Sequence, residues 1–132
     1  MALFLFTRAI FNGEPIKVFN KGEMIRDFTY IDDIIDGVQK AIKLSKNKKF
    51  SKHRIYNLGN NSPVVLNTMI KLLEETIGKK ANKKLVPMQL GDVKKTFANI
   101  EESKRELKFQ PKTSLRQGLF KFVNWYKEYH KT

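Results

Sequence analysis

The sequence predicts an α/β chain that is mostly helical, with a few short strands that do not close a sheet among themselves. Three observations carry this. Apolar residues recur at helical spacing over four stretches, 1–12, 31–44, 66–77 and 114 onward. The extended runs are short and bounded by glycine or proline. No two glycines stand closer than Gly13 and Gly22, nine apart, so there is no G-x-G-x-x-G turn of the kind that opens a nucleotide-binding βαβ unit.

In the first stretch Leu3, Phe6, Ala9 and Ile10 share a face, and Gly13 supplies a C-terminal stop. Pro15 blocks continuation, and Ile16 to Phe19 reads as a strand followed by the turn Asn20-Lys21-Gly22-Glu23. A polar loop carrying Arg26 comes next. Thr29 is the expected N-cap of a helix over 31–44, with Asp32 in the capping-box position. Ile31, Ile34, Ile35, Val38, Ala41 and Ile42 are expected to form its buried face, and Lys40, Lys43 and Lys46 suit the dipole near its end.

Residues 45–52 read as a charged loop, and Arg54 to Gly59 as a strand that needs a partner. Alternation puts Tyr56 and Leu58 on one face of it, Ile55 and Asn57 on the other. Val64-Val65 is ambiguous. Leu66, Met69, Ile70, Leu73 and Ile77 mark a helix that Gly78 ends. Lys84 to Pro87 is a brief extended piece. Asn99 with Glu102 reads as a capping pair for a short helix to Leu107. Pro111 marks a break, and Ser114 opens a last helix with the face Leu115, Leu119, Phe122, Val123 and Tyr126. Gly118 lies inside that helix, at a cost of about 1 kcal/mol relative to alanine, so a close approach is expected there. Trp125, Tyr126 and Tyr129 read as packing residues.

With 132 residues and 41% apolar content, the chain is one domain's worth of sequence with a modest core. Without cysteine there are no disulfides and no thiolate metal ligands, and His53 and His130 lie far apart, so no metal site is expected. The apolar start Met1 to Phe6 lacks a basic n-region and Arg8 interrupts it, so no membrane span or signal segment is expected and the cytoplasm is the expected compartment. The net charge of +13 invites a nucleic-acid reading. Only Arg8, Arg26, Arg54, Arg105 and Arg116 carry the guanidinium fork, however, and the lysines scatter into turns and helix ends. Nucleic acid is therefore not the expected partner.

The stretch Arg26-Asp27-Phe28-Thr29-Tyr30-Ile31-Asp32-Asp33 resembles the Arg-Asp-Phe-x-Tyr-(Ile/Val)-x-Asp signature of the NAD-dependent nucleotide-sugar epimerases and dehydratases, the extended short-chain dehydrogenase/reductase enzymes. Four further stretches occur in the order that family has them: Ile16 to Asn20, Ile55 to Asn60, Pro87 to Val93 and Phe109 to Leu115. The resemblance is greatest to the UDP-glucuronate 4-epimerases, and it covers only their C-terminal part. It implies a mostly helical C-terminal lobe without the nucleotide-binding Rossmann lobe. Residues 1–132 would be one UDP-sugar-binding domain, a fragment of a larger epimerase.

That family also uses a catalytic Tyr-x-x-x-Lys. The residues four beyond Tyr30, Tyr56 and Tyr126 are Ile34, Asn60 and His130, and Tyr129 stands too near the end. The resemblance therefore implies no catalytic residue and no cofactor in these residues, with NAD belonging to the full-length family. There, bound NAD takes hydride from the sugar C4 and returns it to the other face after the 4-keto sugar rotates.

The resemblance implies roles for particular residues. Arg26 would grip the pyrophosphate; the alternative is a salt bridge to Asp27 or a neighbouring carboxylate. The backbone of Lys17, Val18 and Phe19 would meet the uracil edge, or the strand is simply core. Gln89 stands where many relatives have an arginine contacting phosphate or ribose. Asp92 would accept from a ribose hydroxyl, or is a turn residue after Gly91. Tyr56-Asn57 reads as structural. The implied partners are a UDP-sugar and the N-terminal Rossmann lobe or a partner chain. Self-association is expected through surfaces a lobe would cover, Leu3, Phe6 and Ile10 among them. The alternatives are a non-catalytic nucleotide-sugar-binding module and a basic nucleic-acid-binding domain.

Overall fold

A computed structural model describes residues 2–46 and 53–131. In chain order these form α1 (Ala2–Asn12), β1 (Pro15–Phe19), β2 (Ile25–Arg26), α2 (Ile31–Ser45), β3 (Val64–Val65), α3 (Leu66–Ile77), β4 (Asn82–Val86), α4 (Glu101–Leu107) and α5 (Leu115–His130). Helix predominates, as the sequence predicts. The expected loop over 45–52 falls largely in 47–52, outside the described residues.

The main core forms where α1, α3 and α5 meet β1. Phe6, Ala9 and Ile10 come from α1, Ile16 and Val18 from β1, and Met69, Ile70 and Leu73 from α3; Leu119 and Val123 come from α5. These are the faces that 3.6-residue periodicity marked in α1, α3 and α5. Phe6 and Ile10 are thus buried, and Leu3 packs half-buried against them, so these residues are not the open face expected of them. Gly13 (φ +72°) and Gly78 (φ +81°) end α1 and α3 in the left-handed region, where glycine carries no Cβ penalty. At α5, Ser114 and Gln117 form a reciprocal capping box. A Cβ on Gly118 would stand 3.3 Å from the Tyr30 ring, the close approach expected of a mid-helix glycine.

Two small sheets complete the lobe. β1 pairs in parallel with β4, Pro15 opposite Asn82 through Phe19 opposite Val86. β2 pairs antiparallel with β3. The strand expected over Ile16 to Phe19 finds its partner in the extended piece that ends at Val86, the ambiguous Val64-Val65 is a strand, and Arg26 lies on a strand rather than in a loop. Parallel strands need a long crossover, so neither partner carries a local signal for the other.

Four further expectations change. Helix α2 begins at Ile31 with Tyr30 as N-cap and no side-chain cap, because Thr29 Oγ1 instead accepts the Asn60 N–H at 3.0 Å. Four of the six residues of its apolar stripe are exposed, Ile31, Ile35, Val38 and Ile42 at 41–58%, while Ile34 and Ala41 are half-buried. The helix packs by its other side. Gly37 admits Leu58 to 2.7 Å from where a Cβ would stand, with Phe109 tight at 3.1 Å, and buried Asp33 accepts the N–H groups of Lys112 and Thr113 at 3.1 and 3.0 Å. Residues 54–59 pair with no strand among the described residues. Their alternation still holds, with Tyr56 and Leu58 packed against Ile100, Leu107 and Phe109 while Ile55 is 76% exposed. At α4, Asn99 Oδ1 accepts from Glu101 N–H at 3.1 Å, and Glu102 pairs with Arg54 and Arg105 rather than completing a capping box.

Glu74 fastens α3 to β4. Its buried carboxylate accepts from the Ala81 N–H at 2.9 Å and meets Lys83 at 3.1 Å and Lys80 at 3.6 Å. Burial pushes its carboxyl up, but the Ala81 amide and the two lysines outweigh it and hold the pKa below the ordinary 4.5. A lowered folded-state pKa stabilises the fold fully above the ordinary pKa, and that contribution is lost as pH falls through the folded value. Glu74→Ala is therefore expected to cost about 1–3 kcal/mol at neutral pH by urea denaturation. The gap from wild type should narrow once pH falls below 4.5. An equal gap at neutral and acid pH would contradict the ionic part of this role.

Candidate functional site

Residues 24–29 form a junction on which three other segments hang. Met24 O accepts the Leu66 N–H at 2.7 Å, Ile25 N–H donates to Lys94 O at 2.9 Å, and Thr96 N–H donates to Ile25 O at 3.1 Å. Asp27 accepts from the backbone N–H groups of Asn61 at 2.9 Å, Ser62 at 3.2 Å and Ala98 at 3.4 Å. Thr29 adds the bond from Asn60. The loop after Gly59 and the loop leading to Ala98 are therefore both fastened beside Arg26. Gly59 fits because a Cβ there would lie 2.5 Å from that of Ala98 and 3.1 Å from the Asp27 carboxylate.

Arg26 is held by this frame. Its Nη1 donates to Ile25 O at 2.9 Å and to Lys94 O at 3.4 Å, and its Nη2 to Asp92 Oδ1 at 2.7 Å. A guanidinium has five N–H groups. Among the described residues three are engaged, which leaves a fixed fork with donors to spare. The side chain is 25% exposed and that of Asp92 is 37% exposed, so the pair lies at the mouth of a cleft. Asp92 is itself fixed by its turn. Its N–H donates to Gln89 O at 3.2 Å, its Oδ1 accepts the Val93 N–H at 2.8 Å, and Gly91 takes φ +81°.

Arg26, Asp92, Lys17 and Phe19 line one groove of about 1080 Å³, bounded along its length by α1 and α5. Four of the five expected site residues are thus brought together, from β1, β2 and the loop after β4. Gln89 does not line this groove; its side chain is exposed and only its carbonyl takes part, through the Asp92 turn. The groove's walls are mostly apolar, with Leu5, Phe28, Leu66 and Phe122 among them, so the charged end is set against a greasy trough.

The expected salt-bridge alternative for Arg26 is realised with Asp92, not with Asp27. Sequence reasoning missed Asp27 and Asp33 as loop-holding acceptors. The signal for Asp27 was the polar run Asn60-Asn61-Ser62, a loop whose amides need acceptors. Tyr56 is structural, as expected. Its hydroxyl donates to Glu106 at 2.6 Å, and that bond, then burial, raises its phenol above the ordinary 10.0. Among the described residues no group of three or more His, Asp or Glu side chains is placed to hold a metal, and no helix is long and apolar enough to cross a membrane.

Residues 1–59 match the NAD dependent epimerase/dehydratase family. The fold matches that of short-chain dehydrogenase/reductase-type epimerases over their C-terminal part. The chain is similar to UDP-glucuronate 4-epimerases. A UDP-glucuronic acid 4-epimerase from Bacillus cereus, solved with a fluorinated UDP-sugar and NAD, superposes with a TM-score of 0.86 at 29% identity, over 98% of this chain and 40% of that one. UDP-glucuronate 4-epimerase 4 of Arabidopsis thaliana is 42% identical over 98% of this chain and 32% of its own length. Protein CapI of Staphylococcus aureus is 42% identical over 99% of this chain and 43% of its own. The chain spans less than half the length of these relatives.

Proposed function

We propose that this chain is the nucleotide-sugar-binding part of a UDP-glucuronate 4-epimerase-like enzyme. The observation that carries the proposal is the meeting of Arg26, Asp92, Lys17 and Phe19 in one groove, on a lobe similar to an epimerase solved with a UDP-sugar and NAD. Arg26 grips the diphosphate with its unengaged donors, held rigid by Ile25, Lys94 and Asp92. The backbone of Lys17 to Phe19 meets the uracil edge, and Asp92 accepts from a ribose hydroxyl. The apolar trough excludes water from the sugar.

The residues present do not fit NAD. They hold neither a glycine-rich turn nor a Tyr-x-x-x-Lys pair, so hydride transfer lies outside their reach. Hence, in this reading, the 132 residues bind without turning over, and a Rossmann lobe supplies the cofactor and base. The exposed stripe of α2 and the unpaired residues 54–58 are the surface suited to such a lobe. Without it, the same surface drives self-association. The proposed compartment is the cytoplasm. The net charge of +13 gives weak, non-sequence-specific attraction to nucleic acid, the basis of the second reading.

Arg26→Ala is expected to weaken UDP binding by about 2–4 kcal/mol, and Arg26→Lys to recover only part. Calorimetry with UDP checks this, and wild-type affinity in both variants would refute the Arg26 role. Incubation of the purified chain with UDP-glucuronate and NAD should yield no UDP-galacturonate on chromatography. Turnover that follows the chain through purification would overturn the binding-only reading. Sedimentation equilibrium should give a dimer that tightens with salt as repulsion is screened. A monomer at every salt concentration would mean that the α2 stripe drives no association.

A further inference from the structure

The guanidinium of Arg26, a cation held in place in the groove, already has an anion on it. Asp92 Oδ1 lies 2.7 Å from Arg26 Nη2, and the Val93 N–H and the Gln89 carbonyl fix the turn that holds it there. A ligand phosphate approaching the remaining donors of Arg26 meets a guanidinium already paired with a carboxylate, and that carboxylate repels it. For a bare anion this is a penalty. The second carboxylate oxygen changes the balance for a ligand that also brings a hydroxyl. Oδ1 is taken by Arg26 and Val93, while among the described residues Oδ2 has no hydrogen-bond donor. A hydroxyl beside the phosphate would donate to it and turn repulsion into a contact.

We infer that Asp92 is a specificity element acting against bare anions. It makes the Arg26 site favour a phosphate ester bearing a neighbouring hydroxyl, a nucleoside diphosphate, over inorganic phosphate or pyrophosphate. Discrimination of this kind comes from weakening the wrong ligand as much as from strengthening the right one. The inference rests on the proposed role of Arg26 and goes beyond it, because it gives Asp92→Asn effects of opposite sign on two ligands. A carboxylate that only positioned Arg26 would move both in the same direction.

The test is an amide-shift NMR titration of the chain with pyrophosphate and with UDP, for wild type, Asp92→Asn and Arg26→Ala. Asp92→Asn is expected to raise pyrophosphate affinity about three- to tenfold, the effect of removing a partly exposed opposing charge. UDP affinity should stay level or fall, so the preference for UDP over pyrophosphate shrinks. If Asp92→Asn weakens both ligands together, changes neither, or leaves pyrophosphate without detectable binding, the inference is overturned. The Arg26→Ala arm separates the two claims. Loss of binding there with no gain in Asp92→Asn defeats only the selectivity role. UDP binding that survives Arg26→Ala defeats the proposed site, and the inference with it.

Discussion

The carboxylate of Asp27 is the constraint on which the lobe's working end depends. It accepts three backbone N–H groups from two loops that are far apart in sequence, at Asn61, Ser62 and Ala98. Loop amides of this kind have no ladder to join: that of half-buried Ala98 would cost free energy comparable to a lost hydrogen bond without an acceptor, and those of exposed Asn61 and Ser62 gain a fixed partner in place of water. One side chain meets all three needs. Because Asp27 follows Arg26 directly, the same anchor that closes the loops also fixes where the guanidinium sits. Packing and function share one dipeptide.

Asp33 repeats the device early in α2. It holds the N–H groups of Lys112 and Thr113 and so sets the entry of α5, whose Ser114–Gln117 box begins at the next residue. Of the acidic residues in the 26–33 stretch, Asp27 and Asp33 are structural fasteners and Asp32 meets Lys121 at 3.6 Å on the surface. Arg26 is bound mostly by carbonyls and by a carboxylate at the groove mouth, an arrangement that leaves donors free rather than sealing them in the core.

Much of this was legible in the sequence. In α3, the residues Leu66, Met69, Ile70 and Leu73 are buried as their spacing requires, and α5 starts at its capping serine. The stripe of α2 shows the limit of periodicity. Amphipathic spacing says that a face wants covering but not what covers it, and here Gly37 and Asp33 make the opposite side the packing side within these residues. The parallel pairing of β1 with β4 was illegible for another reason. Lys17 stands opposite Lys84 in the register, a like-charge pair that no local pairing preference would select. Arg26 and Asp92 were each recognisable from their motifs, but nothing in sequence brings together side chains 66 residues apart. Gln89 was chosen by motif position alone, and the turn directs its side chain to solvent.

The most direct test of the central claim is native-state amide exchange by NMR on Asp27→Ala. The amides of Asn61, Ser62 and Ala98 should lose protection and exchange markedly faster than in wild type, while those of the α3 core around Ile70 keep theirs. The backbone and side-chain N–H signals of Arg26 should shift with them. If Asn61, Ser62 and Ala98 exchange no faster in the variant and the Arg26 signals stay in place, Asp27 does not hold the junction, and the position of Arg26 must be set by something else.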